Sequence, residues 1–417
     1  MVHGLGRRPS PVNAPADPVA FRAYVRRFFD DLPSLLDEPV GASDGDDDPR
    51  QVTRARAWRA ALYDAGLAGF GYPVEAGGLG DQPELHRIYQ EESRGRVPSV
   101  EAVFGIGIGM ALPVVRDHCA PALQQRFLRP GLRGDEIWCQ LYSEPNAGSD
   151  LASLATRAER DGDEWVITGQ KVWTSGAQHA DLAILLARTD PSMPKHRGIT
   201  MFVLPMGQPG VTVRPLRQMT GVAEFNEVFI DEARVPVDWV VGDLHDGWRM
   251  GTALLAHERV ATGTNSVMGS RDEQRKTGRN PLPVPQLVRL AQRVGRQDDP
   301  VVRQQLALAY SGERIMRWLG ERRAHPSIGK LWRTRQGRLA ADIAASLQFP
   351  GAVGWEADDV EADYWQYHVL NCRGMSLGGG TDEIQRNTLG ERVLGLAKEP
   401  VLDADVAFSD LLRNPSR

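Results

Sequence analysis

Residues 181–206 read DLAILLARTDPSMPKHRGITMFVLPM. Two apolar runs of strand length, DLAILLART and GITMFVLPM, flank a short connection that contains proline, aspartate and glycine. Two further β-rich runs lie nearby, EWVITGQKVW at 164–173 and NEVFIDEARVP at 226–236. Because these runs follow one another without intervening helices, they predict an antiparallel sheet or barrel and not a βαβ fold.

The sequence on both sides of these strands has the period of helices. Phe21, Tyr24, Val25 and Phe28 recur at intervals of three and four residues. After residue 246 the helical period returns in long stretches such as GWRMGTALLAHERVATG and VVRQQLALAYSGERIMRWLGE. The predicted class is therefore α+β. The predicted divisions are an extended or disordered N-terminus at 1–16, a helical domain at 17–135, a β domain at 136–243 and a second helical domain at 244–417.

Composition argues against several classes of protein. The 417 residues leave room for two or three domains, and a net charge of −5 gives no sign of a nucleic-acid partner. Three widely spaced cysteines argue against a disulfide framework and fit a reducing cytoplasm. The histidines lack metal-ligand spacing, and no run approaches the roughly 18 apolar residues of a membrane span. We therefore expect a soluble, cytoplasmic chain without a metal, membrane or nucleic-acid partner.

Two polar stretches next to the strands could carry chemistry. QLYSEPNAGSD (140–150) concentrates serines and turn-forming residues, so it is either a turn between domains or a loop that presents N–H groups and hydroxyls to a flat polar molecule. KVWTSGA (171–177) places Trp173 before a threonine and a serine. This tryptophan is either a core residue or a flat apolar plate beside two hydroxyls.

A third stretch is the helix that follows Gly247, with Asp243 or Asp246 as its possible N-cap. Met250, Leu254 and Glu258 are spaced by four residues and therefore share a face. A glutamate on an apolar face is either paired with a cation or exposed in a pocket.

Together these stretches resemble the acyl-CoA dehydrogenase family. QLYSEPNAGSD, then GQKVWTSGA, and finally GGGTDEIQRNTLGERVLGL (378–396) occur in the family's order, and GFGYPVEAGGLG (69–80) is similar to its early loop. The matches extend over nearly the whole chain from about residue 17. The resemblance implies an N-terminal helical domain, a central β domain and a C-terminal four-helix bundle.

The resemblance also implies FAD as cofactor and an acyl-CoA as substrate. Tyr142 and Ser143 would bind the flavin by backbone and hydroxyl groups, Trp173 would pack on its ring, and Ser175 would bind its edge. Ser149 would contact the pantetheine or phosphate end of the substrate. The implied reaction removes an α-proton with a carboxylate while the β-hydrogen leaves as hydride to flavin N5, giving the 2-enoyl-CoA.

The implied position of the catalytic base is unusual. Many family members carry a glutamate where this chain has Gly379, whereas some branches place it on the first long helix of the C-terminal domain, where Glu258 matches. We therefore expect Glu258 to be the base and the Gly379 N–H to donate to the thioester oxygen. Thr381 would contact FAD.

Two family features have no match here, the Arg-x-x-x-Phe-Gly segment for the FAD pyrophosphate and the Gly-Gly-x-Gly stretch for the adenine. The resemblance implies a homodimer or homotetramer that passes electrons to an electron-transfer flavoprotein or a similar acceptor. The alternatives are a hetero-oligomer in which this chain is a flavin-poor, non-catalytic subunit, and a flavin oxidase on the same scaffold.

Overall fold

Helices occupy both ends of the described chain and strands occupy its middle. The computed structural model describes residues 14–31, 49–264, 283–352, 354, 360–400 and 404–411. The helices are α1 (Pro18–Asp30), α2 (Pro49–Asp64), α3 (Pro83–Glu92), α4 (Leu112–His118), α5 (Pro121–Arg133), α6 (Gly247–Thr264), α7 (Val284–Arg293), α8 (Pro300–Glu321), α9 (Pro326–Gln348), α10 (Val360–Asn371) and α11 (Asp382–Thr388). The strands are β1 (Trp138–Leu141), β2 (Arg157–Asp161), β3 (Glu164–Ser175), β4 (Leu182–Arg188), β5 (Ile199–Pro205), β6 (Val211–Leu216), β7 (Phe225–Pro236) and β8 (Val240–Val241). This order confirms the predicted fold class.

Local sequence signals set the bounds of the early helices. The Asp17 carboxylate caps α1 by accepting a hydrogen bond of 2.8 Å from the Ala20 N–H. Helices α1, α3 and α5 each have proline in the first turn, where the missing N–H has no helical partner. Gly134 ends α5 in a left-handed conformation with φ of 84°.

The eight strands form one sheet in the order β6-β7-β3-β2-β4-β5-β8, with β1 paired to β4. Most neighbours are antiparallel, but β1 runs parallel to β4, with Trp138 opposite Leu182. Every residue of β4 is buried. Leu182, Ile184 and Leu186 face a core shared with helices, whereas the alternate residues face a second core within the sheet domain. Burial of both faces explains why residues 182–187 of this strand form an unbroken apolar run.

Contacts divide the chain into two units. Unit 1 comprises Met1–Leu216, Ala223–Ser270 and Asp403–Arg417, and unit 2 comprises Arg217–Val222 and Arg271–Leu402. The sequence pattern groups α6 with the later helices, in residues 244–417, but its contacts lie in unit 1. Met250 and Leu254 of α6 are fully buried in the core that contains Met201 of β5.

Unit 2 contains a bundle of the helices α7, α8, α9 and α10. Apolar residues of all four helices form one core, which includes Leu287, Val302, Ile343 and Trp365. Helices α8 and α9 approach closely at Gly312, whose carbonyl accepts a hydrogen bond of 2.9 Å from the Trp332 indole. The family's implied four-helix bundle is therefore present.

Other features of the described chain bear on the predicted class of protein. Cys119, Cys139 and Cys372 are free and buried. Among the described helices, none combines the length and apolarity needed to cross a membrane. The described residues also contain no group of three histidine, cysteine or acidic side chains that could hold a metal ion.

Candidate active site

The loop at 140–150 is fixed to the neighbouring strand β3. The Ser143 carbonyl accepts a hydrogen bond of 2.9 Å from the Val172 N–H. Glu144 and Ala147 exchange backbone hydrogen bonds of 3.0 and 3.1 Å, which closes a tight turn around Pro145. These backbone hydrogen bonds define the conformation of the loop and hold it against β3.

A buried ion pair between Lys171 of β3 and Glu144 holds this loop against the strand. Lys171 of β3 has an exposed fraction of 0%, and its Nζ lies 2.8 Å from Glu144 Oε1 and 3.0 Å from the Tyr142 carbonyl oxygen. The Glu144 carboxylate also accepts hydrogen bonds of 2.7 and 2.9 Å from the N–H groups of Ala155 and Thr156. These four contacts satisfy a pair of charges that would otherwise be costly to bury.

The electrostatics of the pair follow from these contacts. Burial raises the pKa of the Glu144 carboxyl, but Lys171 and the hydrogen-bond donors outweigh burial, so the pKa lies below its ordinary value. Burial lowers the pKa of the Lys171 ammonium, and the adjacent carboxylate counteracts that effect. Glu144 is therefore the ionised anchor of the loop at neutral pH.

Sequence reasoning missed this pair, although one signal for it existed. Trp165, Ile167 and Lys171 occupy alternate positions of β3 and are all buried. The period of two therefore places Lys171 on the inner face of the strand, where a lysine requires an anion.

Trp173 is not a core residue. A β-bulge between Lys171 and Thr174 interrupts the pairing of β3 with β7, and Trp173 adopts a φ of 62° within it. Its side chain is 59% exposed and packs edge-on against Phe225, with ring centroids 5.8 Å apart. Ser175, two residues further on, is exposed as well. The strand thus presents an aromatic face and a hydroxyl beside the fixed loop.

The predicted substrate contact, Ser149, is exposed at the end of the loop. The next residue, Asp150, forms an ion pair with Lys195, with an N–O distance of 3.0 Å, and accepts a hydrogen bond of 2.5 Å from Ser153. These contacts fix the backbone that carries Ser149.

Helix α6 begins in a tightly packed position. Asp246 precedes it, and its carboxylate pairs with Arg249. A Cβ at Gly247 would lie within 2.8 Å of the Thr200 backbone, so only glycine allows this approach to β5. Glu258 lies one turn beyond the buried Leu254 on this helix, but its side chain is outside the described residues.

The glycine-rich stretch SLGGGT lies in unit 2 and precedes α11. Gly379 and Gly380 have φ values of 64° and 80°, in the left-handed region that glycine favours. The Gly379 carbonyl accepts a hydrogen bond of 2.8 Å from Gln385 Nε2. The Thr381 hydroxyl caps α11 by accepting a hydrogen bond of 3.2 Å from the Ile384 N–H.

A second ion pair supports this stretch from α9. Asp382 is buried, and its carboxylate lies 2.8 Å from the Nζ of Lys330, which also donates to the Ser376 carbonyl. Arg338 contacts the Ser376 hydroxyl. The sequence gives Asp382 no assigned role beside Gly379 and Thr381, because an acidic residue in the first turn of a helix is expected from the helix dipole alone.

The structure thus brings the predicted residues together in two groups. Tyr142, Ser143, Trp173 and Ser175 lie on two hydrogen-bonded segments of unit 1. Gly379 and Thr381 lie in the glycine-rich stretch of unit 2.

Comparison with known proteins gives a consistent result. Residues 16–135 match the family model described as "Acyl-CoA dehydrogenase, N-terminal domain", and residues 139–233 match "Acyl-CoA dehydrogenase, middle domain". The chain is 39% identical over 395 residues to the acyl-CoA dehydrogenase IpdE1 of Mycobacterium tuberculosis, covering 91% of this chain and 98% of that protein.

Two solved structures resemble the fold. One is titled "Tcur3481-Tcur3483 steroid ACAD" and has a TM-score of 0.69 at 27% identity, covering 93% of this chain and 99% of that one. The other is the ChsE4-ChsE5 complex from Mycobacterium tuberculosis, with a TM-score of 0.67 at 25% identity, covering 93% of this chain and all of that one (100%).

Proposed function

Because this chain belongs to the acyl-CoA dehydrogenase family, we propose that it oxidises an acyl-CoA thioester to the 2-enoyl-CoA with Glu258 as the base. The family uses FAD. The observation that carries the proposal is the exposed Trp173 beside a loop that a buried ion pair holds in place. A rigid aromatic face with adjacent hydroxyls suits a flat cofactor that must be held in one orientation.

The residues of unit 1 fit the isoalloxazine of FAD. In this proposal Trp173 packs on the ring, Ser175 donates to its edge, and Tyr142 and Ser143 bind its pyrimidine side and N5. When bound, FAD supplies the oxidising power by accepting the hydride from the β-carbon. The protein's part is to orient the ring and to place hydrogen-bond donors where negative charge develops.

The proton transfer in this proposal belongs to Glu258. The left-handed φ of Gly379 supports this choice, because a side chain there would cost about 1–2 kcal/mol in backbone strain. Helix α6 offers the alternative position, one turn beyond the buried Leu254. A carboxylate kept away from water gains basicity, which assists removal of the α-proton.

The charge that forms on the thioester oxygen needs a hydrogen-bond donor. We assign this role to the backbone N–H of Gly379, where the lack of a Cβ leaves the approach open. Thr381 then contacts FAD, and Ser149 binds the pantetheine or phosphate end of the CoA. For the acyl group we propose a steroid-like ring system, on the basis of the similarity to the structure titled as a steroid ACAD.

The assembly we propose is a hetero-oligomer. The chain lacks the family's segments for the FAD pyrophosphate and adenine, and the titles of two similar structures each pair two differently named chains. A second chain type would supply the adenine end of the FAD site, while this chain supplies the base and the ring platform. Electrons would leave to an electron-transfer flavoprotein or a similar acceptor.

Anaerobic reduction tests the reaction. The FAD-loaded assembly, which includes the second chain type if FAD binding requires it, is mixed with a panel of acyl-CoAs, from straight-chain to steroid-ring thioesters, and bleaching of the flavin absorbance is followed. Glu258→Gln is expected to retain FAD and to be bleached more slowly than wild type by a factor on the order of 10²–10⁴. Bleaching by Glu258→Gln at the wild-type rate would assign the base elsewhere, and rapid peroxide formation in air would indicate an oxidase.

The assembly has its own test. Mass in solution and flavin content are measured for the chain purified alone. A homo-oligomer that holds one FAD per chain would refute the hetero-oligomer. A chain that acquires stoichiometric FAD only with a second chain type supports it.

A further inference from the structure

A segment near the end of the chain packs against the β domain. Residues 404–411, which we call the C-terminal strap, belong to unit 1 and lie along the loop of residues 189–198 between β4 and β5. Phe408 N–H donates to the Met193 carbonyl and Ser409 N–H to the Pro191 carbonyl, both at 2.9 Å. Ala407 also forms a β-bridge with Pro194. The strap therefore follows this loop as a short additional strand would.

One aromatic ring fixes the strap to the end of β4. Phe408 is 5% exposed, and the Arg188 guanidinium lies 3.6 Å from the centroid of its ring. This is close contact for a cation–π interaction, and burial strengthens it by removing water.

Arg188 connects the strap to two other segments. Its guanidinium donates to the Ala152 carbonyl at 2.7 Å, to the Leu154 carbonyl at 3.1 Å and to the Lys195 carbonyl at 3.2 Å. The buried arginine thus ties the turn at 151–154 to the β4–β5 loop, and Phe408 covers it.

Both tied segments hold the residue next to Ser149. Lys195 of the β4–β5 loop forms an ion pair with Asp150, and Ser153 of the turn donates to the same carboxylate. Displacement of either segment would therefore move the backbone at Ser149.

We propose that Phe408 is a positioning residue for substrate binding, which acts through Arg188 on the segment that carries Ser149. The inference rests on the proposed contact between Ser149 and the CoA portion of the substrate. Loss of the ring would leave Arg188 with its backbone contacts but with water in place of its aromatic cover. The segment at 149–154 would then be less well ordered, and CoA would bind more weakly without any change at the flavin platform.

The test compares three variants in the FAD-loaded assembly used for the reduction experiment, with free coenzyme A as the probe and calorimetry as the measurement. Phe408→Leu removes the ring and keeps an apolar side chain, and it is expected to raise the Kd about tenfold, since a desolvated cation–π contact is lost. Phe408→Tyr keeps the ring and is expected to bind within about twofold of wild type. Val406→Ala changes an exposed side chain of the same strap and serves as the matched control.

The flavin spectrum and flavin content are expected to be unchanged in all three variants, which separates positioning of the substrate from general loss of structure. A Kd in Phe408→Leu equal to that of wild type would overturn the proposal. Equal weakening in Phe408→Tyr and Phe408→Leu would also overturn it. If wild type itself does not bind coenzyme A, the proposed function fails, and the role of the strap in substrate binding fails with it.

Discussion

Replacement of Lys171 by methionine tests whether the buried ion pair holds the loop at 142–144. Methionine has a similar length and no charge, so the change removes the contacts to Glu144 Oε1 and to the Tyr142 carbonyl with little change in volume. The carboxylate of Glu144 would remain buried without its cation.

The expected loss in the free energy of unfolding depends on the hydrogen bonds that Glu144 keeps in the Lys171→Met variant. Removal of one partner from a buried pair typically costs about 3–5 kcal/mol. Glu144 retains the N–H donors of Ala155 and Thr156. We therefore expect the free energy of unfolding to fall by about 3 kcal/mol, the lower end of that range. The double variant Lys171→Met with Glu144→Gln removes both charges and should recover part of this loss.

The pH dependence gives a second measure of the same effect. In wild type the pKa of Glu144 lies below its ordinary value, so its stabilising contribution is present above the unfolded-state pKa and is lost as pH falls through the folded-state pKa. Removal of Lys171 leaves burial to raise this pKa. The difference in free energy of unfolding between wild type and Lys171→Met should therefore decrease as pH falls from about 8 to about 4.5.

The assay is urea denaturation followed by tryptophan fluorescence, with flavin content and visible spectrum measured on the same samples. Arg234→Met is the control, because Arg234 also pairs with carboxylates, those of Asp161 and Glu164, but on the exposed surface. We expect the control to resemble wild type and Lys171→Met to hold less FAD. If Lys171→Met were as stable as the control and kept its full flavin content, the ion pair would not be the anchor of the loop.

Three further predictions concern other parts of the chain. Gly380→Ala should destabilise the protein by about 1–2 kcal/mol, because φ is positive there and the new Cβ would lie 3.0 Å from Gln385 Nε2; Gly378→Ala, with only an ordinary contact at 3.7 Å, should change the urea midpoint little. Burial lowers the pKa of His368 to about 4 from 6.5, so the free energy of unfolding should fall by about 2 kcal/mol between pH 8 and pH 5. His368→Gln should remove that part of the pH dependence in thermal denaturation. Ser149→Ala should raise KM for the acyl-CoA about three- to tenfold through loss of one hydrogen bond and leave flavin content unchanged; an unaltered KM would exclude Ser149 from the substrate site.

Local patterns in the sequence were sufficient to predict most elements of the fold. The apolar runs at 181–189 and 198–206 correspond to β4 and β5, because burial of both faces makes nearly every position of these strands apolar. The glycines of FGIGIGM (104–110) do not have the spacing of the GxGxxG nucleotide-binding motif. The sequence therefore predicts a close-packed helix for this stretch. Residues 107–111 form a π-helical turn, and a Cβ at Gly107 would lie 3.4 Å from the Trp138 ring.

Features that depend on distant partners were not predictable in the same way. The pairing of β1 with β4 is parallel, and nothing in either short strand specifies its direction. Lys171 and Glu144 are 27 residues apart, and although the period of two places Lys171 on the inner face of β3, no local pattern identifies Glu144 as its partner. For Trp173 the pattern left two alternatives, and only the β-bulge, a property of the pairing between β3 and β7, makes the side chain exposed.

The C-terminal strap has a consequence for biosynthesis. A ribosome makes residues 404–411 only after residues 271–402, which form most of unit 2. The nascent β domain must therefore persist without Phe408 on Arg188 while more than a hundred further residues are translated. The contact between Arg188 and Phe408, which are far apart in the sequence, can form only after that. Completion of the first unit is thereby coupled in time to emergence of the second.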